Sequence, residues 1–263
     1  MVTDTSNRID KVFQEKKDNL LSVYFTAGFP QVKDTPAVME YLEVGGADFI
    51  EIGVPFSDPM ADGPTIQQSN FKALKNGMTV EMLFDQLTDI RQKVSIPVIL
   101  MGYFNPILQF GLEKFCAECE RVGVDGLIVP DLPMVDYLEL YKPTFDQFGI
   151  YNIFLITPQT SESRIRLIDE NSHGFIYMVS SASITGAKKE ISDEQVEYFN
   201  RVKSYGLRNP QLIGFGISNH ETFTTACKYA SGAIIGSAFI RVLENSNNLK
   251  EDVVNYIKSV KGI

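Results

Sequence analysis

Short apolar segments alternate along the chain with longer segments that carry apolar residues at helical spacing. The short segments are typical of buried strands, and the longer ones of amphipathic helices. The predicted strands are Leu20–Thr26, Asp48–Ile52, Pro97–Met101, Gly126–Val129, Asn152–Ile156, Gly174–Val179, Gln211–Phe215 and Gly232–Ile235. The predicted helices are Asp4–Glu15, Thr35–Glu43, Thr65–Lys75, Thr79–Lys93, Leu112–Val122, Val135–Phe148, Ser163–Glu170, Asp193–Ser204, His220–Tyr229 and Lys250–Val260.

This alternation of strand and helix predicts a parallel sheet with helices outside it. Eight such units in 263 residues favour a closed barrel over an open doubly wound sheet. No G-x-G-x-x-G follows the first strand, which weakens a dinucleotide-binding interpretation. We therefore predict an α/β fold, a (β/α)8 TIM barrel in one domain over 1–263. An extra N-terminal helix and extra helices in the loops after strands two and eight complete it.

Composition narrows the possible partners. The net charge of −9 argues against a nucleic-acid surface, which needs a basic patch. Three cysteines, an odd number at ordinary spacing, suit a reducing compartment. The polar N-terminus lacks the apolar core of a secretory signal, and no apolar run approaches the roughly 18 residues of a transmembrane helix. We expect neither nucleic acid nor membrane as a partner, and a cytoplasmic location, or the plastid stroma if the gene is organellar.

One acidic residue interrupts the second predicted strand. Glu51 shares a face with Phe49, because side chains alternate along a strand. A buried carboxylate is costly unless it is paired or used in chemistry. The turn-rich loop that follows carries Asp58 and Asp62, so Glu51 and Asp62 form a candidate acid–base pair. The structural alternative places Glu51 in a core salt bridge and makes Asp62 a helix cap.

Glycines after the last two predicted strands indicate a phosphate site. Gly214 and Gly216 lie at the seventh strand, and Gly236 precedes Ser237 after the eighth. Barrels commonly bind phosphate at these loops, through backbone N–H groups and the N-terminus of a short helix. The alternative is that these glycines only make tight turns.

The segment after the sixth strand, residues 180–189, is long, small and polar. This composition suits a mobile lid that closes over substrate, and it equally suits an ordinary solvent loop. Tyr177 precedes the segment, where its phenol reaches the barrel mouth or fills the core. Together these features imply a phosphorylated polyol with an apolar or aromatic end, and acid–base chemistry on a C–C or C–O bond. An apolar lining is available from Tyr24, Phe29, Tyr103, Leu127 and Phe215.

The segment from Phe49 to Gln67 closely resembles the signature of the tryptophan synthase α subunit family. The resemblance covers nearly the whole chain. It implies a (β/α)8 barrel that performs a retro-aldol cleavage of indole-3-glycerol phosphate to indole and glyceraldehyde 3-phosphate. Supporting matches are Gly102–Pro106, Val124–Pro133, Thr185–Ala187, Gly214–Ser218 and Gly236–Ala238.

The resemblance also implies roles for single residues. Glu51 is the general acid–base that protonates indole C3 and removes the glycerol hydroxyl proton, and Asp62 accepts the indole N–H. Chemistry agrees, since an apolar strand raises a carboxyl pKa toward neutrality while a loop carboxylate stays ionised. Tyr177 matches a further site tyrosine. The implied sets are Tyr24, Tyr103, Leu127 and Phe215 for the indole pocket, Gly186, Gly214, Gly216, Gly236 and Ser237 for the phosphate cradle, and Thr185 for the lid.

The family pairs with a PLP-dependent β subunit in an α2β2 tetramer, to which indole passes through a tunnel. The loops with Asp58-Pro59 and Asn105-Pro106 resemble the docking surface. The resemblance implies no cofactor and no metal on this chain. Ser181 and Ser183 depart from the pattern, since arginine and glycine are common there in the family.

Three alternatives stay open at this point. In the first alternative, the chain is a stand-alone lyase that releases free indole. In the second, it is a phosphate-binding barrel of the phosphoribosyl-anthranilate pathway. In the third, it is an inactive subunit that only activates a partner. The second predicts no pairing of Glu51 with Asp62 in this motif. The third predicts loss of one of the two carboxylates, and both are present.

Overall fold

A computed structural model describes residues 7–180, 192–214 and 216–263. Within these residues, nine parallel strand segments form one sheet in the order β5-β4-β3-β2-β1-β9-β8-β7-β6. The segments are β1 Leu20–Thr26, β2 Phe49–Gly53, β3 Val98–Met101, β4 Gly126–Ile128, β5 Tyr151–Asn152, β6 Leu155–Ile156, β7 Ile176–Val179, β8 Gln211–Gly214 and β9 Gly232–Ile235.

The two ends of this order are consecutive in the chain, because only Ile153 and Phe154 separate β5 from β6. The Ile153 N–H donates to the Leu127 carbonyl at 2.8 Å, and the Phe154 carbonyl accepts from the Tyr177 N–H at 2.9 Å. The two segments therefore form one interrupted fifth strand that joins both edges of the sheet. The predicted (β/α)8 barrel is confirmed.

Helices follow nearly every strand position, and several loops hold two. α1 precedes the barrel, α3 and α4 follow β2, α5 and α6 follow β3, and α12 and α13 follow β9. Their bounds are α1 Arg8–Glu15, α2 Thr35–Gly45, α3 Pro64–Lys75, α4 Val80–Leu87, α5 Phe104–Phe110, α6 Leu112–Val122, α7 Met134–Asp136, α8 Lys142–Gln147, α9 Glu162–Asn171, α10 Asp193–Ser204, α11 His220–Cys227, α12 Ser237–Glu244 and α13 Leu249–Lys261.

Three helical segments differ from the sequence expectation. Helix α5 was not predicted, because Asn105-Pro106 suggests a turn; Pro106 instead lies in the first turn of the helix, where no N–H is required. The helix predicted over 79–93 ends at Leu87 and is followed by a 3₁₀ turn at Ile90–Gln92. The helix predicted over 135–148 contains a π-helical turn at Tyr137–Tyr141, between α7 and α8.

Strand alternation divides the core into an inner and an outer layer. Tyr24, Glu51 and Ile99 occupy the same register row on β1, β2 and β3, and Ile99 packs inside the barrel. At the N-terminal end, Phe49 and Phe175 lie 5.8 Å apart between ring centroids. Phe13 of α1 packs on both rings and fills that end of the barrel. The carboxyl ends of the strands are left to form the site.

Candidate active site

Glu51 lies on the inner face of β2 and is fully buried. The Ser22 hydroxyl of β1 donates to its Oε1 at 2.6 Å, whereas Oε2 has no hydrogen-bond partner among the described residues. Burial raises the pKa of Glu51 to about 7, and the bond from Ser22 opposes this rise. The predicted strand carboxyl with a pKa near neutrality is therefore present, and it is held by a serine that the sequence did not single out.

Asp62 lies in the loop between β2 and α3, and it is buried although it belongs to a loop. Its Oδ2 accepts a hydrogen bond from the Tyr103 hydroxyl at 3.3 Å, and that hydroxyl accepts the Ala61 N–H at 2.8 Å. Burial raises the pKa of Asp62 to about 6, and the Tyr103 bond opposes the rise. Burial thus raises the pKa of Asp62 as it raises that of Glu51.

The structural alternative for this pair is wrong. Glu51 bonds to a serine and forms no ion pair among the described residues. The N-cap of α3 is Gly63 rather than Asp62. Among the described residues, Glu51 is therefore in no core salt bridge and Asp62 does not cap α3.

Two phenols lie within electrostatic reach of both carboxylates. Burial raises the pKa of Tyr24 above its ordinary value, and the charges of Asp62 and Glu51 add to the rise. Burial, Glu51 and Asp62, in that order, raise the pKa of Tyr177 in the same direction. The structure therefore brings Tyr24 and Tyr177 together with the two carboxylates, and both phenols stay protonated.

Glycines on neighbouring strands make room for these phenols. A Cβ on Gly53 would lie 2.1 Å from the Tyr24 Oη, and a Cβ on Gly214 would lie 2.3 Å from the Tyr177 Oη. Such distances are impossible, so any side chain there would displace the tyrosine ring. Gly214 was predicted as a phosphate ligand, and the structure shows a packing role for it. Gly53 was missed in the sequence, where it looked like the end of a strand.

Two residues of the predicted phosphate cradle, Gly236 and Ser237, lie at the start of α12. Gly236 is the N-cap of this helix, and no described side chain caps it, so within the described ranges the first N–H groups from Ser237 onward are available for an anion. A Cβ on Gly236 would lie 3.5 Å from Tyr24, which puts the helix start beside the predicted indole pocket. Gly216 adopts a positive φ of 79° and has open space around it. Three further predicted site residues, Thr185, Gly186 and Phe215, lie outside the described residues.

The prediction that Leu127 lines the indole pocket is wrong. Leu127 occupies the register row of Leu100 and Ile52, which is the face opposite Glu51. Side chains on that face pack against the outer helices. Its neighbour Ile128 packs inside the barrel and takes its place as a lining residue.

The predicted partner surface is only partly accessible. Asp58 and Asn105 are exposed and Pro106 is half-buried, but Pro59 is buried and its ring is not available for docking. Pro59 instead contributes its carbonyl, which accepts the Asp62 N–H at 3.0 Å. Three apolar side chains that were not predicted are also exposed: Met60 after β2 at 79%, Leu108 after β3 at 45% and Val135 after β4 at 53%.

The sequence of this chain is similar to those of known tryptophan synthase alpha chains over nearly its full length. The family model described as tryptophan synthase alpha chain matches residues 10–262. The tryptophan synthase alpha chain of Flavobacterium johnsoniae is 57% identical over 244 residues, which cover 93% of this chain and 96% of that protein. The one from Christiangramia forsetii is 56% identical over 257 residues, covering 98% and 99%.

Solved structures show the same architecture. A tryptophan synthase structure from Mycobacterium tuberculosis superposes with a TM-score of 0.88 at 29% identity, over 98% of both chains. The tryptophan synthase alpha chain of Legionella pneumophila gives 0.87 at 31% identity, over 98% of this chain and 97% of that one. The match of sequence and fold extends over nearly the full length, and the chain therefore belongs to the tryptophan synthase alpha chain family.

Proposed function

We propose that this site catalyses the carbon–carbon lyase step of tryptophan biosynthesis, the cleavage of indole-3-glycerol phosphate to indole and glyceraldehyde 3-phosphate. The observation that carries the proposal is Glu51, a fully buried carboxyl with one oxygen that has no partner among the residues the structure describes. Its pKa of about 7 lets it donate and accept a proton near neutral pH. Membership of the family supplies the substrate class.

The two carboxyls divide the chemistry between a proton donor and a hydrogen-bond acceptor. Protonated Glu51 donates its proton to indole C3, because an aromatic carbon leaves only after protonation. Ionised Asp62 accepts the indole N–H and stabilises the positive charge on the ring. The Glu51 carboxylate then removes the proton of the glycerol hydroxyl while the C–C bond breaks. Indole and an aldehyde leave, and Glu51 regains its proton.

The substrate is held at both ends. Backbone N–H groups around Gly236 and Ser237 bind the phosphate at the start of α12, with Gly214, Gly216 and Gly186 completing the cradle. Tyr177 stands beside both carboxyls. The indole ring is lined by Tyr24, Tyr103, Ile128 and Phe215, and Thr185 belongs to the lid.

The partner in this proposal is a PLP-dependent β subunit in an α2β2 tetramer, with the cofactor on that subunit and none on this chain. The docking surface comprises exposed Asp58 and Asn105 together with the apolar side chains of Met60, Leu108 and Val135. An exposed apolar patch with a polar rim is typical of such interfaces. The relatives are bacterial and the three cysteines are free, which supports a cytoplasmic location.

The test is an indole-release assay with indole-3-glycerol phosphate, run with and without a β subunit. Release that the β subunit strongly increases supports both the reaction and the partner, whereas equal rates favour the stand-alone lyase. Glu51→Gln should abolish release and keep binding of glycerol 3-phosphate, with Glu120→Gln on the exposed face of α6 as the matched control. Wild-type release from the Glu51 variant contradicts the proposed mechanism.

No helix in the described ranges is long and apolar enough to cross a membrane.

A further inference from the structure

The hydrogen bond between Ser22 and Glu51 connects two fully buried side chains inside the barrel. Ser22 lies opposite Phe49 in the β1–β2 register, and Tyr24 lies opposite Glu51. Ser22 thus shares the inner face with Glu51 and stands one step nearer the N-terminal end of the strands. Its hydroxyl donates to Oε1 at 2.6 Å, within the range of about 2.5–3.0 Å for O–H···O hydrogen bonds.

We propose that Ser22 is a positioning residue that fixes Oε1 of Glu51 and thereby makes Oε2 the oxygen that transfers the proton. The inference rests on the proposed function. Ser22 does not touch the reacting atoms, and it acts only through the carboxyl that does.

The hydroxyl of Ser22 determines which oxygen of neutral Glu51 carries the acidic proton. A serine hydroxyl has one proton, and here that proton is donated to Oε1. When Glu51 is neutral, the oxygen that accepts this bond is the carbonyl oxygen, so the acidic proton lies on Oε2. Oε2 is also the oxygen without a partner among the described residues. Ser22 therefore places the transferable proton on the oxygen that no described residue engages.

The same bond also adjusts when Glu51 gives up its proton. The titratable groups that interact with Glu51 are Tyr24 of β1 and Tyr177 of β7, and both of them also interact with Asp62 of the loop after β2. Both phenols stay neutral, because their pKa values lie well above 10. Burial favours neutral Glu51, while Ser22 favours its ionised form, so loss of the hydroxyl raises the pKa of Glu51.

The experiment compares pH profiles of kcat/KM for indole release between the wild type, Ser22→Ala, Ser22→Cys and Ser22→Thr. The alkaline limb reports deprotonation of Glu51, since the acid form starts the reaction. Alanine removes the donor, and cysteine keeps the volume with a weak donor. Ser22→Ala and Ser22→Cys should both shift the alkaline limb to higher pH by about one unit and lower kcat by about 10- to 100-fold. Threonine keeps the hydroxyl and should bring the limb back toward the wild-type position.

The matched control is Ser172→Ala, which removes another buried serine hydroxyl, one that donates to the Ile168 carbonyl at the end of α9. This variant should keep the wild-type limb. If Ser22→Ala and Ser22→Cys keep it too, the proposal is overturned, whatever happens to kcat. Absence of indole release by the wild type, with or without a β subunit, contradicts the proposed function instead.

A second measurement needs no substrate and applies to any variant that folds. A protonated carboxyl gives an infrared C=O band. The band that is present in the wild type and absent from Glu51→Gln belongs to Glu51 and reports its protonation directly. It should titrate near pH 7 in the wild type and at higher pH in Ser22→Ala and Ser22→Cys. A band that titrates at the same pH in all three proteins overturns the positioning role even if the reaction is a different one.

Discussion

Glu51 is subject to two opposing influences at the level of single side chains. Burial favours its neutral form, and the hydroxyl of Ser22 favours its ionised form. The result is a pKa of about 7, which keeps both forms accessible near neutral pH. Asp62 has the same pair of influences with Tyr103 as the donor, and its pKa of about 6 leaves it mainly ionised. In both carboxyls, burial and a single hydroxyl donor act in opposite directions on the pKa.

Tyr103→Phe tests how Asp62 is kept ionised. The substitution removes the donor to Oδ2, so the pKa of Asp62 rises above about 6 and the acid limb of kcat/KM for indole release moves to higher pH. The bond is long at 3.3 Å, so the expected shift is about half a pH unit to one unit. Activity should fall more at about pH 6 than at about pH 8.

The matched control for this prediction is Tyr151→Phe. Tyr151 also donates to an aspartate, Asp10, at 2.6 Å, but at the N-terminal end of the barrel. Its loss should leave the acid limb in place. An unchanged limb in Tyr103→Phe as well would show that Tyr103 only lines the pocket, as the sequence analysis assumed.

The sequence revealed the carboxyls but not their donors. Glu51 and Asp62 are visible because charged residues in an apolar strand and in a Pro/Gly-rich loop are unusual. Ser22 carries no such signal, since a lone serine in an apolar strand matches no motif. Only the β1–β2 register shows which carboxyl it meets. Tyr103 looked like an apolar wall because its hydrogen bonds join two different loops.

At the level of strands, the position of a strand in the sequence was easier to predict than the face of the sheet on which each side chain lies. The predicted strand over 126–129 closely matches β4 at Gly126–Ile128, yet Leu127 was assigned to the wrong face. A shift of one residue exchanges the inner and outer faces, and a short apolar run such as Gly-Leu-Ile-Val has no polar residue to mark either. The register with β3 supplies that reference and puts Ile128 on the inner face.

Gly214→Ala tests the packing between β7 and β8. The added Cβ would come within 2.5 Å of the Tyr177 ring as well as 2.3 Å from its hydroxyl, so the ring must move away from the two carboxyls. We expect a loss of about 1–3 kcal/mol in the free energy of unfolding and a marked loss of indole release. Chemical denaturation and the indole assay measure the two effects.

A double-mutant cycle identifies the cause of the loss of stability in Gly214→Ala. In the background of Tyr177→Ala the ring is absent, so Gly214→Ala should cost much less stability. Gly236→Ala is the steric control, because its Cβ meets Tyr24 only at an ordinary distance of 3.5 Å. Equal costs of Gly214→Ala in both backgrounds would mean that Tyr177 does not set the requirement for glycine.

For the whole molecule, Val135→Asp tests the proposed docking surface. Val135 follows β4 and is 53% exposed, so a charge there can be solvated in the free chain but not under an apolar partner. Affinity for the β subunit should fall at least about tenfold, measured by titration of the enhancement of indole release. Leu167→Asp on α9 is the control, another exposed apolar residue outside the proposed surface. If both variants bind equally well, the surface lies elsewhere.

The site also affects the stability of the whole barrel. Folding raises the pKa of Glu51 from 4.5 to about 7, so the native protein binds more protons than the unfolded chain between these values. The free energy of unfolding must therefore fall as pH rises through this window, and burial of Asp62 acts with the same sign.

Glu51→Gln removes the decrease in unfolding free energy that ionisation of Glu51 causes at higher pH, because glutamine stays neutral. The variant should gain on the order of 3 kcal/mol over the wild type between about pH 4.5 and about pH 8, while it loses activity. Denaturant unfolding at the two pH values measures the gain, with Glu120→Gln as the exposed control. A stability difference that is the same at both values would mean that folding does not raise the pKa of Glu51, and the acid–base role would then lose its physical basis.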